Sequence, residues 1–175
     1  MKITTYHISI LSFFLLLISC NEQRETSSFE KLKTEVYGID VFTKIYDAQA
    51  ASEALNKPIF LMFDNPNTTC CRRSTELLRK YILGEGIEEN FIVAILFVDD
   101  KSPLKNKYEA QFPNGRIKEV RTIGDENMLT QIEMFNTLST PYHVIIDENL
   151  KNLIQPHGFF SNDTMIDDFF KSYKR

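Results

Sequence analysis

The chain contains no tryptophan and only three cysteines, Cys20 and the adjacent pair Cys70-Cys71. So few, so placed, they exclude the disulfide framework of a small secreted scaffold. Basic residues are scattered and never run longer than Arg72-Arg73, and the 20 lysines and arginines are outnumbered by 24 acids. The basic stripe of a nucleic-acid binder is therefore missing. No apolar run approaches the roughly 20 residues that a membrane-spanning helix needs. A glycine-rich phosphate loop and a Gly-x-Ser-x-Gly elbow are absent as well, which removes the commonest sequence signals of nucleotide binding and of serine hydrolysis. What remains is 43% hydrophobic and 25% charged residues in a chain of 175, the composition and length of one packed domain.

The N-terminus stands apart. Lys2 precedes an apolar run from Ile8 to Ile18, interrupted only by Ser9 and Ser12, the length of a secretory apolar core. The Leu17-Ile18-Ser19-Cys20 that follows resembles the lipobox of bacterial lipoproteins, in which cleavage before the cysteine is coupled to acylation of its thiol. The resemblance implies a signal peptide over 1–19, a lipidated Cys20, and attachment to a bacterial membrane on its periplasmic or outer side. Loss of Lys2 with the signal would leave 19 basic against 24 acidic residues. Residues 20–28 hold no apolar side chain beyond Cys20 and read as a flexible tether. The domain is expected over 29–175.

Helical and extended segments alternate from there. Tyr46 to Asn56, rich in alanine and followed by Lys57-Pro58, reads as a helix. Ile59 to Phe63 and Phe91 to Val98 are unbroken apolar runs, as expected of strands covered on both faces. Between them Thr69 to Leu83 places Leu77, Leu78, Tyr81 and Ile82 at helical spacing, with Thr68 positioned to cap through its hydroxyl. Together these form a βαβ unit. Residues 100–126 are polar and punctuated by Pro103, Pro113 and Gly115, and read as a long excursion. A helix marked by Met128, Ile132, Phe135 and Leu138, strands over 142–146 and 152–154, and a last helix from Asn162 or Asp163 complete the order. The fold class expected is α/β, a central sheet covered by helices.

That order, with a cysteine at the first strand-to-helix junction and Thr140-Pro141 opening the third strand, resembles the thioredoxin-like superfamily. The stretches Lys57-Pro58-Ile59-Phe60-Leu61-Met62-Phe63, Phe97-Val98-Asp99-Asp100-Lys101, Arg121-Thr122-Ile123-Gly124-Asp125 and Thr140-Pro141-Tyr142-His143-Val144-Ile145-Ile146-Asp147 resemble the C-terminal periplasmic domain of the disulfide reductase DsbD, over roughly residues 38–174. The resemblance implies thiol–disulfide exchange with secreted or periplasmic protein thiols, a cis Pro141, a peptide-binding role for Thr140 and Pro141, and no cofactor. It also implies a Cys-x-x-Cys-Arg motif, and here the chain departs from the pattern. With Cys71-Arg72-Arg73 in register, Thr68 stands where the attacking cysteine belongs.

Two-cysteine exchange needs one thiolate to attack and a second thiol to resolve; a threonine hydroxyl cannot attack a disulfide. Cys70 and Cys71 remain as candidate thiols in the first turn of a helix, where backbone amides and the positive end of the macrodipole favour a thiolate. They make a poor pair with each other, because neighbouring Cα atoms lie about 3.8 Å apart and disulfides prefer about 4.4–6.8 Å. By family position Cys71 is the more buried and Cys70 the exposed nucleophile. Two alternatives stand beside exchange. One is a non-catalytic module that keeps the peptide groove. The other is a single-cysteine peroxidase, since Thr68-x-x-Cys71 also resembles peroxiredoxins, although Asp64 occupies the place of their proline. His143 and His157 lack acids at ligand spacing and suggest no metal site.

Overall fold

The computed structural model describes residues 29–112 and 115–173. The chain divides into units of residues 1–33 and 34–175. The signal peptide, Cys20 and the tether lie outside the described residues, and of the first unit only 29–33 are described, where Lys33 pairs with Glu30 at 2.6 Å.

The second unit begins with an antiparallel hairpin of β1 (Thr34–Val36) and β2 (Ile39–Val41). Its two-residue turn takes positive φ at both positions, 55° at Tyr37 and 76° at Gly38. The strand twist demands this of such turns, and glycine supplies it without strain while Tyr37 does not. The sequence gives no familiar Asn-Gly signal here, and this hairpin was not anticipated. Beyond β2, Phe42 bonds to Val93 and Ile95 (3.0 and 2.9 Å), so the chain joins the main sheet before turning into α1 (Ile45–Leu55), which Asn56 ends in a left-handed conformation.

The main sheet has the order β4-β3-β7. Strand β3 (Ile59–Asp64) is buried at every residue and runs parallel to β4 (Ile92–Phe97), with Ile59 opposite Ile92 and Asp64 opposite Phe97. Helix α2 (Thr69–Glu85) and the short α3 (Ile87–Asn90) connect them, and Gly86 closes α2 at φ 59°. Strand β7 (Tyr142–Ile146) pairs antiparallel with β3. On the far side of β7, residues 152–157 pair through bridges at Ile146–Asn152 and His143–His157, the form taken by the strand expected over 152–154.

Residues 100–126 are not an irregular excursion. They hold β5 (Pro103–Gln111) and β6 (Ile117–Thr122), an antiparallel ribbon, and the start of α4 (Ile123–Phe135). That helix begins five residues before Met128, at a capping box in which Thr122 accepts from the Asp125 amide and Asp125 accepts from the Thr122 amide. It ends at Phe135, so Leu138 lies past it and is exposed. Gly124 is required where α4 meets the end of β4, because a Cβ there would stand 2.7 Å from the main chain of Asp100. The last helix, α5 (Asp163–Tyr173), buries Ile166, Phe169 and Phe170. Phe60 of β3 packs edge-on to Phe169 and Phe170, with centroids at 6.0 and 5.1 Å. Each such side chain contributes about 1.5–3 kcal/mol by leaving water. The sheet is thereby a rigid floor whose β3 end carries the cysteine turn.

Candidate functional site at the cysteine turn

Strand β3 ends in Asp64, and residues 65–68 turn the chain into α2. The turn is held by its own backbone and side chains. The Thr68 amide donates to the Asn65 carbonyl at 2.9 Å, the Asn67 amide to Asn65 Oδ1 at 3.1 Å, and the Asn67 side chain to Asp99. Thr68 occupies the N-cap position of α2 without capping it: its hydroxyl donates to the Asn65 carbonyl at 2.9 Å. The turn brings that carbonyl within reach of the hydroxyl, which the expected cap would have aimed at the helix amides.

The two sulfurs, adjacent in sequence, meet opposite surroundings. Cys70 is exposed and Cys71 is fully buried, the placement that the family resemblance implies. Cys70 Sγ lies 3.6 Å from Thr68 Oγ1. A hydrogen bond from the Thr68 hydroxyl to the Cys70 sulfur is the largest cause lowering the Cys70 pKa, with further help from the amides of Cys70 and Cys71 at the helix start. The Thr68 hydroxyl has one proton, and in the thiol form it is committed to Asn65. Stabilising a Cys70 thiolate therefore requires that proton to turn from the carbonyl to the sulfur, which offsets part of the gain. Cys71 goes the other way. Burial raises its pKa and the carboxylate of Asp64 adds to this, opposed by contacts with Thr68, the Asn65 amide and the Thr140 side chain. Thr68, Cys71 and Thr140 are thus brought together, and the Thr140–Pro141 peptide is cis.

Asp64 sits beneath this cluster with no solvent exposure. Its Oδ2 accepts from Tyr37 Oη at 3.0 Å and Thr75 Oγ1 at 3.2 Å, and its Oδ1 from the Asn65 amide at 2.9 Å. Burial, then Asp64, pushes the Tyr37 phenol well above its ordinary range. Sequence reasoning passed over Asp64 and Tyr37 as site residues, although a carboxylate closing an all-apolar strand is a signal in itself. Beside them lies a cleft of about 420 Å³ lined by Tyr37, Arg72, Thr75, Glu76 and Arg79, where Arg79 donates to the Tyr37 carbonyl.

The two described histidines pack against phenylalanines of the core. His143 is fully buried, its Nδ1 2.7 Å from the Gly158 carbonyl, and His157 stacks on Phe160 with centroids at 4.5 Å. Among the described residues, no three His, Cys, Asp or Glu side chains are grouped to hold a metal ion, and no helix is long and apolar enough to cross a membrane.

No family model and no curated protein matches the chain. Among solved structures, a chain described as DsbH oxidoreductase superposes with a TM-score of 0.51, covering 86% of this chain and 98% of its own length at 17% identity. The fold is thioredoxin-like. At that identity the likeness concerns architecture: a mixed β4-β3-β7 sheet with flanking helices, the fold that the thioredoxin-like resemblance implies.

Proposed function

We propose that this chain is a lipid-anchored, extracytoplasmic thioredoxin-like protein that takes part in thiol–disulfide exchange with secreted proteins through one exposed thiol, Cys70. The observation that carries this is the exposure of Cys70 in the first turn of α2, 3.6 Å from the Thr68 hydroxyl, since attack requires a thiolate that a partner can reach and this setting lowers the thiol pKa. In the step proposed, the Cys70 thiolate attacks one sulfur of a partner disulfide. A mixed disulfide forms, the partner's S–S bond breaks, and its second sulfur leaves as a thiolate that takes a proton from water. Attack by a thiolate of the partner on the partner's own sulfur in the mixed disulfide then forms a partner disulfide, breaks the bond to Cys70 and expels Cys70 as a thiolate. Thr140 and Pro141, in contact with the same turn through Cys71, would seat the partner as an extended strand.

The test is adduct formation. The protein purified in detergent and mixed with a disulfide-bonded peptide should gain one peptide mass at Cys70, keep doing so as Cys71→Ser, and stop as Cys70→Ser. A wild-type protein that binds the peptide without forming an adduct would favour the non-catalytic module, a reading that the threonine at position 68 supports. The peroxidase reading draws no support from a Cys71 thiol that is buried and raised. The anchor is tested separately: Cys20→Ser should leave the membrane fraction.

A further inference from the structure

Gln131, on the buried side of α4, has no solvent exposure. Its Nε2 donates to the Ser139 carbonyl at 2.7 Å, and its Oε1 is buried without a hydrogen-bond partner among the described residues. A buried amide with half its capacity unmet detracts from stability, and an apolar side chain of the same length would fill the space without that cost. What the amide supplies is location. Ser139 immediately precedes Thr140 and Pro141, and the side chain of Thr140 touches Cys71. The loop ahead of them has little else to fix it: Asn136 closes α4 in a left-handed conformation and the Ser139 amide makes a 3.3 Å bond to Thr137 Oγ1. The Gln131–Ser139 bond joins α4 to the loop that carries Thr140 to the cysteine turn.

We propose that Gln131 is a positioning residue whose side-chain amide holds the Ser139 carbonyl and thereby sets Thr140 and Pro141 against the cysteine turn. Its consequence for exchange rests on the function proposed for Cys70; the positioning itself does not.

Two variants of the full chain test it. Gln131→Met removes the donor and keeps the volume. The melting temperature should hold or rise, while amide hydrogen exchange at residues 137–140 accelerates at least tenfold and the peptide adduct at Cys70 forms roughly three- to tenfold more slowly. Gln131→Glu restores a donor only when neutral, a state that burial favours. Protection of 137–140, corrected for intrinsic exchange, should match the wild type at pH 5 and fall to the Gln131→Met level at pH 9. A Gln131→Met protein with wild-type protection at 137–140, or with exchange raised evenly across the chain and a lowered melting temperature, would overturn the proposal. So would a Gln131→Glu protein without recovery at pH 5, and that variant decides the matter if Gln131→Met does not fold. A wild-type protein that forms no adduct removes the exchange reading and leaves the amide measurements to judge Gln131.

Discussion

Strands β3 and β5 obey different rules. Every residue of β3, Ile-Phe-Leu-Met-Phe-Asp, is buried, and none of β5, Pro-Leu-Lys-Asn-Lys-Tyr-Glu-Ala-Gln, is fully so. A strand covered on both faces by helices is apolar wherever a side chain finds no polar partner, because it loses its water there; Asp64, at the end of β3, is buried with three hydrogen bonds in place of that water. A strand in a two-stranded ribbon keeps water on most of its surface and owes its form to the ladder and to whatever fastens its base. In β6 that fastening is Val120, buried completely, and the Thr122 cap. The candidate site is built on the first kind of strand, so its geometry is inherited from the core. The ribbon can vary without disturbing it.

The sharpest way to break this contrast is to hollow out β3. Phe60 is 1% exposed and meets His143, Phe169 and Phe170. Phe60→Ala should cost about 3–5 kcal/mol, the usual penalty for a large-to-small change in a packed core. Denaturant titration reads it directly. A loss under about 1 kcal/mol would mean that the sheet is not the rigid support that the site requires.

The same contrast explains what could be read from the sequence. Apolar runs placed β3, β4 and β7 within a residue or two, since burial on both faces leaves its mark on composition. The ribbon gave no such mark: Lys105-Asn106-Lys107 reads as loop, and its pairing depends on β6 across a turn. At the site, Thr68, Cys70, Cys71, Thr140 and Pro141 were legible as types at family positions. Asp64 leaves one mark, a carboxylate closing an apolar strand, while Tyr37 and Gln131 leave none, because their roles come from contacts outside their own elements, Tyr37 with Asp64 across 27 residues and Gln131 with the Ser139 carbonyl. No local pattern records a side chain whose purpose lies elsewhere in the chain.

A second expected effect sharpens the comparison through pH. His143 of β7 lies between Phe60 and Phe160, its Nδ1 turned to the Gly158 carbonyl and its Nε2 without a hydrogen-bond partner among the described residues. Burial lowers its pKa to about 3, from an ordinary value of 6.5. The folded form therefore keeps a neutral ring while the unfolded chain takes up a proton below pH 6.5. Stability conferred by the neutral form is whole above that pH and declines as pH falls toward 3, by about 1.4 kcal/mol per pH unit. Between pH 6.5 and 4.5 the wild type should lose about 2 kcal/mol more than His143→Gln, whose amide can still donate to Gly158 without titrating. Parallel pH profiles for the two proteins would refute the buried neutral ring.

The smallest effect belongs to the base of the ribbon. Thr122 ends β6 and caps α4 at once, its hydroxyl accepting from the Asp125 amide at 3.1 Å while Asp125 Oδ2 accepts from the Thr122 amide at 3.2 Å and Oδ1 from Lys118 at 2.6 Å. These contacts, the Lys118 hydrogen bond foremost, hold the Asp125 pKa down at about 2. Thr122→Ala removes one half of the box and should cost about 1 kcal/mol, as N-cap deletions do. Because Asp125 retains Lys118 and the amides of Arg121 and Thr122, the helix start should fray without separating from β6. Hydrogen exchange should quicken in the first turn of α4 and leave β3 and the cysteine turn as they were. Acceleration that spread into residues 59–71 would show the ribbon and the site to be one cooperative unit, and the division drawn between the two kinds of strand would fail.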